Sequence, residues 1–176
     1  MDKLLNYFFN EPEQEFHVRE LAKLSGFSPT TVSKYLNKLK KNDLLCSRKQ
    51  YNHLLFKANT DSGAFMNAKL LFNLEKLRKS GLIKFLIEEY NQPEAIILFG
   101  SYAKAENINK SDIDLFVISP LKKELNLDRF EEKLGHPIQI FVYSKVEIEK
   151  MKKSNKELLN SLVNGFVIDG YWEMFR

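Results

Sequence analysis

Two short stretches of this chain carry residue types that suit phosphate and metal chemistry better than packing. The first is Gly100-Ser101, at the end of the apolar run Ile96-Ile97-Leu98-Phe99. The second is Asp112-Ile113-Asp114, which follows Lys110-Ser111 and leads into Leu115-Phe116-Val117-Ile118. Side chains two apart on a strand point to one face, so the spacing predicts that Asp112 and Asp114 converge. Neighbouring carboxylates repel, and on an apolar strand this is costly unless a cation lies between them. A hard divalent ion such as Mg²⁺ removes the repulsion and leaves room for phosphate oxygens. Gly100 lets backbone approach a phosphate closely, and Ser101 offers a hydroxyl and an N–H at a helix start. Lys104, one turn on, adds positive charge suited to a triphosphate. The set fits attack on an α-phosphoryl group with pyrophosphate leaving.

The pattern Gly-Ser-x-Ala-Lys followed by Ser-Asp-Ile-Asp-Leu spans Gly100 to Lys104 and Ser111 to Leu115. It resembles the polymerase-β-like nucleotidyltransferases, and within them the minimal nucleotidyltransferases of archaea and bacteria. The resemblance covers roughly Leu82 to Gly170. It implies Asp112 and Asp114 as catalytic metal ligands, Gly100, Ser101, Lys104 and Ser111 as nucleotide contacts, Mg²⁺ or Mn²⁺ as cofactor, and ATP or another NTP as donor. It also implies an acceptor hydroxyl, which in antitoxin-like members lies on a partner protein. Two positions depart from the pattern. Lys104-Ala105 stands where the family usually has Arg-Gly; lysine keeps the charge and loses the bidentate fork. The third acidic residue of the family, expected on the next strand, falls at Gln139 in Ile138-Gln139-Ile140-Phe141-Val142. Glutamine can offer a carbonyl oxygen to a metal but cannot take a proton. A transcription regulator with a retired, nucleotide-sensing domain is therefore an alternative to an active transferase. A structural adaptor is a third reading.

The elements that must position these residues read as α+β. Ala95–Phe99, Ile113–Ile118 and Ile138–Tyr143 are expected strands, and Phe166–Ile168 a last short one. Helices are expected over Leu82–Tyr90, Ser101–Glu106, Asp128–Leu134 and most of Val146–Val163. Together they predict a small mixed sheet flanked by helices. His136, before Pro137, reads as a turn residue. Asp169-Gly170-Tyr171 reads as a closing turn, with Asp169 a weak alternative acid.

The first third has a different character. Asp2 can cap a helix over Lys3–Asn10, and Val18–Leu24 reads as a second helix with Leu21 and Leu24 inward. Gly26 allows a tight turn in which Phe27 plugs the core. Ser28 and Pro29 start a third helix. Leu45–Lys49 and Leu54–Ala58 then form a hairpin. Phe16 to Ala58 thus resembles the winged helix-turn-helix of bacterial and archaeal regulators. Burying Val32, Leu36 and Leu39 leaves Thr30, Thr31, Lys34, Tyr35 and Lys38 outward, with Arg48 and Lys49 in the wing, all suited to double-stranded DNA. The net charge of +4 supports this placement, because residues 1–60 hold ten Lys/Arg and six Asp/Glu while the remainder balances. His17 and His53 lack metal-ligand spacing.

The expected organisation is a winged helix-turn-helix at 1–60, a connector at 61–81 and a nucleotidyltransferase domain at 82–176. The Phe65–Lys79 helix, bearing Leu70, Leu71, Leu74 and Leu77, is a candidate homodimer contact. The single cysteine, Cys46, excludes an internal disulfide and reads as a buried structural thiol. No apolar run reaches the roughly 18–20 residues that span a bilayer, and the start lacks a signal-peptide pattern, so no membrane partner and a cytoplasmic location are expected.

Overall fold

The computed structural model describes residues 3–173. The chain divides into two compact units, Met1–Phe72 and Asn73–Arg176, so the division falls inside the helix read as a connector.

The first unit opens with α1 (Leu5–Asn10), a two-residue strand β1 (Phe16–His17), α2 (Val18–Ser25) and α3 (Pro29–Lys41). A hairpin follows, β2 (Leu45–Gln50) and β3 (His53–Ala58), then the first part of α4 (Gly63–Ser80). Asp2 lies outside the described residues, and α1 begins later than expected, with Leu4 at its cap. Local chemistry accounts for the other boundaries. His17 Nδ1 accepts the Glu20 N–H and starts α2, and Gly26 ends it at φ 79°. Ser28 caps α3, whose first residue is Pro29. Tyr51 and Asn52, both at positive φ, turn the hairpin. The sheet order is β1-β3-β2, all antiparallel. Its core gathers Phe8, Phe9, Phe16, Leu21, Val32, Leu36, Phe56 and Phe65.

Three side chains expected to point inward are exposed in this unit. Leu24 is 51% exposed, because Ser25 takes the inward position and bonds the Leu21 carbonyl. Phe27 does not plug the core; it is 45% exposed, carried outward by the left-handed turn at Gly26. Cys46 is exposed, because strand alternation points Leu45 inward and its neighbour out.

The second unit begins with the remainder of α4, followed by α5 (Leu82–Glu89), β4 (Ala95–Phe99), α6 (Gly100–Ala103), β5 (Ile113–Ile118) and α7 (Asp128–Leu134). It ends with β6 (Ile138–Tyr143), α8 (Lys145–Ser154), α9 (Lys156–Val163) and β7 (Phe166–Gly170). The sheet order is β6-β5-β4-β7; β5 and β6 are parallel, the other pairs antiparallel. The stretch Val146–Val163, expected to be mostly helical, is two helices that meet at Asn155, whose side chain caps α9. Both sheet faces are covered. Ile96, Leu98, Ile113, Leu115 and Val117 pack with α5, α7 and the end of α4. Ile97, Phe99, Phe116 and Ile118 pack with Ile148, Met151, Leu159 and Leu162 of α8 and α9. A strand covered on both faces reads as a continuous apolar run, as Ala95–Phe99 does. Among the described residues no helix is long and apolar enough to cross a membrane.

Helix α8 carries a full capping box: Ser144 accepts the Glu147 N–H, and Glu147 accepts from the Ser144 N–H and hydroxyl. Lys122 also bonds Glu147. The Lys122 bond first, then those from Ser144, hold the Glu147 carboxyl down at about 2, from an ordinary 4.5. A depressed acid stabilises the fold fully above its unfolded value and loses that contribution as pH falls towards its folded one. Glu147→Gln should therefore lower the thermal midpoint at pH 7, and the gap from the parent should close between pH 4.5 and about 2. Melting curves across that range check it.

Candidate nucleotide and metal site

Three strands deliver the site to one end of the second unit's sheet. Phe99, the last residue of β4, pairs with Asp114 of β5, and Asp114 pairs on its other side with Gln139 of β6. Directly paired residues share a face, so Asp114 and Gln139 lie side by side. Asp112 sits one residue before β5, whose bounds are those the apolar run predicts. Its Oδ2 accepts a hydrogen bond from Gln139 Nε2 at 2.5 Å. The two aspartates and the glutamine thus form one cluster.

Gly100 closes the cluster from the side of β4. Its φ of 69° is left-handed, which turns the chain from β4 into α6. A Cβ at this position would collide with Asp114 Oδ2 and stand 3.1 Å from its carboxyl carbon. The Asp114 carboxylate can lie this close to the turn because residue 100 has no side chain. Asp114 is half-buried; burial first, and the Asp112 charge second, push its carboxyl above the usual range. Both causes disfavour a bare anion, and both are relieved by a cation. Two adjacent carboxylates are a donor set suited to a hard divalent ion that also binds phosphate oxygens.

The remaining expected contacts are less uniform. Ser101 follows Gly100 in α6, but that helix is a single turn and its dipole is correspondingly small. Lys104 is exposed at the end of the turn. Ala105 adopts φ 58°, the left-handed conformation that explains why glycine is usual at this position. The Ser111 hydroxyl accepts from the Ile108 N–H, so it shapes the loop before β5. Asp169 pairs with Ile96, three residues up β4 from the Phe99–Asp114 pair and about 10 Å along the strand. It is too far away to serve as the third acid. Among the described residues no three His, Cys, Asp or Glu side chains gather as a metal cage.

Two supports were not evident in the sequence. His136 lies in the bend after α7, as expected, and is 5% exposed; its Nδ1 is 2.9 Å from the Ser111 carbonyl and its ring meets Tyr102 edge-on. The Ile113 N–H also donates to the Pro137 carbonyl, so the loop before β5 is tied to the approach to β6. Asn73 of α4, buried, donates to the Tyr102 carbonyl and to Asn107 Oδ1. These bonds fix both ends of the segment between Gly100 and Asp112. The only advance signal was a His-Pro pair and isolated asparagines, which also mark ordinary loops.

Residues 82–168 match the family model described as Polymerase beta, Nucleotidyltransferase. The matched segment contains the Gly100 turn, both aspartates and Gln139. Over these residues the second unit is similar to nucleotidyltransferase domains of the polymerase beta type. No curated protein matches the chain.

In the first unit, Thr30, Thr31, Lys34 and Lys38 are exposed along α3, as are Lys40 and Lys41. Tyr35 is partly buried and packs on the core. Lys49 is exposed on β2. Arg48 forms a bidentate ion pair with Glu15, both bonds at 2.5 Å, and Lys57 pairs with Glu13 at 2.6 Å. Part of the basic excess counted in the sequence is thus neutralised within the unit. His17 and His53, far apart in sequence, stack with ring centroids 6.1 Å apart.

The Gly100 geometry gives a direct test. Gly100→Ala places a methyl against Asp114 in a left-handed conformation that costs an L-residue roughly 1–2 kcal/mol. It should destabilise the protein by at least about that much and weaken Mn²⁺–nucleotide uptake at least ~10-fold. Thermal melts and equilibrium dialysis measure the two effects.

Proposed function

We propose that the second unit binds a nucleoside triphosphate, with ATP the expected donor, together with Mg²⁺ or Mn²⁺, and transfers its nucleoside monophosphate to an acceptor hydroxyl. The observation that carries this reading is the carboxylate pair against Gly100. Asp112 and Asp114 hold the cation, and Gly100 lets the Asp114 carboxylate lie against the backbone turn that phosphate oxygens approach. A bound cation supplies positive charge to oxygens that gain negative charge during transfer. Gly100, Ser101 and Lys104 contact the phosphates, Ser111 acting through the loop it closes. In the transfer, the bond from the α-phosphorus to the acceptor oxygen forms, the bond to pyrophosphate breaks, and the acceptor's hydroxyl proton passes to water. By analogy with antitoxin-type members, the acceptor hydroxyl belongs to a Tyr, Ser or Thr of a partner protein.

We further propose that the first unit is a winged helix-turn-helix that places the chain on double-stranded DNA, in the cytoplasm. The exposed face of α3 with Thr30, Thr31, Lys34 and Lys38 supports this reading, with Lys49 on the hairpin. Arg48 joins only when its pair with Glu15 opens. A second reading is favoured by Gln139, whose amide already bonds Asp112. On that reading the domain senses nucleotide and adjusts DNA affinity without turnover.

Incubation with ATP labelled at the α-phosphate, Mg²⁺ and candidate acceptors separates the two. Transfer should label an acceptor, and Asp112→Asn should lower the rate at least ~100-fold. Nucleotide binding with no pyrophosphate released would select the sensing reading. For DNA, the five exposed lysines Lys34, Lys38, Lys40, Lys41 and Lys49 set a ceiling of about −4.5 on the log–log salt slope of duplex affinity. Glu15→Gln frees Arg48 and should steepen the measured slope by about one unit.

A further inference from the structure

We propose that the carboxylate pair holds a single divalent cation and that Gln139 keeps a second one out. The inference rests on the metal-dependent nucleotide binding proposed above, and concerns how many ions the site takes.

The argument begins with position. Gln139 is the direct neighbour of Asp114 across the parallel pair of β5 and β6, and its side chain is exposed at the mouth of the cluster. It occupies the place from which a third carboxylate would face the two aspartates. Its amide nitrogen instead donates to Asp112 Oδ2.

Charge decides what that exchange does. Two carboxylates carry two negative charges, which one divalent ion neutralises. A second ion would add two positive charges beside the half-buried Asp114, with no protein anion to balance them. A bound triphosphate carries enough negative charge to balance a second ion overall, but the protein supplies too few direct ligands to hold one. Hard cations are held by several oxygen ligands, mostly anionic ones. Gln139 presents N–H groups towards Asp112, and hydrogens repel a cation. That N–H also occupies a lone pair of Asp112 Oδ2 that a bridging second ion would use. If the amide turns over, it offers one neutral oxygen, which replaces neither the charge nor the second oxygen of a carboxylate.

Nearby packing does not supply a substitute. No other His, Cys, Asp or Glu joins the cluster among the described residues. Asp169 is tied by its strand pairing to the far part of β4. The ion count therefore depends on one exposed side chain, and restoring an acid there should change it without disturbing the core.

The test uses the full chain with Mn²⁺ and a non-hydrolysable ATP analogue, kept below the protein concentration. Electron paramagnetic resonance reports bound Mn²⁺ and shows whether two ions are magnetically coupled. The unmodified protein should bind one isolated Mn²⁺ per nucleotide. Gln139→Asp should bind two and show a coupled pair. Gln139→Glu, which keeps the side-chain length, provides the same comparison if the aspartate variant folds poorly. A coupled pair in the unmodified protein overturns the inference. So does a single isolated ion in the well-folded acidic variants. If no protein takes up Mn²⁺ with the nucleotide, the proposed function itself fails, and the inference goes with it.

Discussion

The second unit is organised around an electrostatic conflict: two carboxylates stand together at the end of an apolar sheet, one of them half-buried against a glycine. Burial and the Asp112 charge both oppose ionisation of Asp114. A fold gains nothing in stability from such a pair by itself. The surrounding structure nevertheless holds it firmly. Gly100 supplies the space, the Asn73–Asn107 bond and the His136–Ser111 contact fix the segment between the two halves of the site, and parallel pairing with β6 sets Gln139 alongside. Holding like charges together in this way makes physical sense when a cation and its phosphates complete the balance.

Much of this was legible in the sequence because the signals were local. Strands β4, β5 and β6 appear at the boundaries that their apolar runs predict, since covering both faces leaves no polar alternation to blur them. Ser28-Pro29 and Gly26 mark helix ends through their own backbone preferences. The Gly-Ser turn and the Asp-x-Asp spacing lead to one site, because a strand end and the following strand start meet through a single antiparallel pair, Phe99 with Asp114.

What was not legible depended on partners distant in the chain. Arg48 looked like an available cation, but Glu15 reaches it across the sheet. Cys46 looked buried from its apolar neighbours, yet alternation turns it outward. His136 and Asn73 gain their positioning roles only when α4, α6 and the approach to β6 come together. The hydrogen bond between Gln139 and Asp112 is of the same kind: the sequence shows a missing acid, and the fold shows what the replacement does.

The claim that the Asp112–Asp114 pair beside Gly100 seats a cation is tested most directly by paramagnetic NMR on the unmodified protein. Mn²⁺ added with nucleotide should broaden the backbone amide signals of Gly100, Ser101, Asp112, Asp114 and Gln139 before all others. Sharp signals at those five residues, with broadening centred elsewhere, would contradict it.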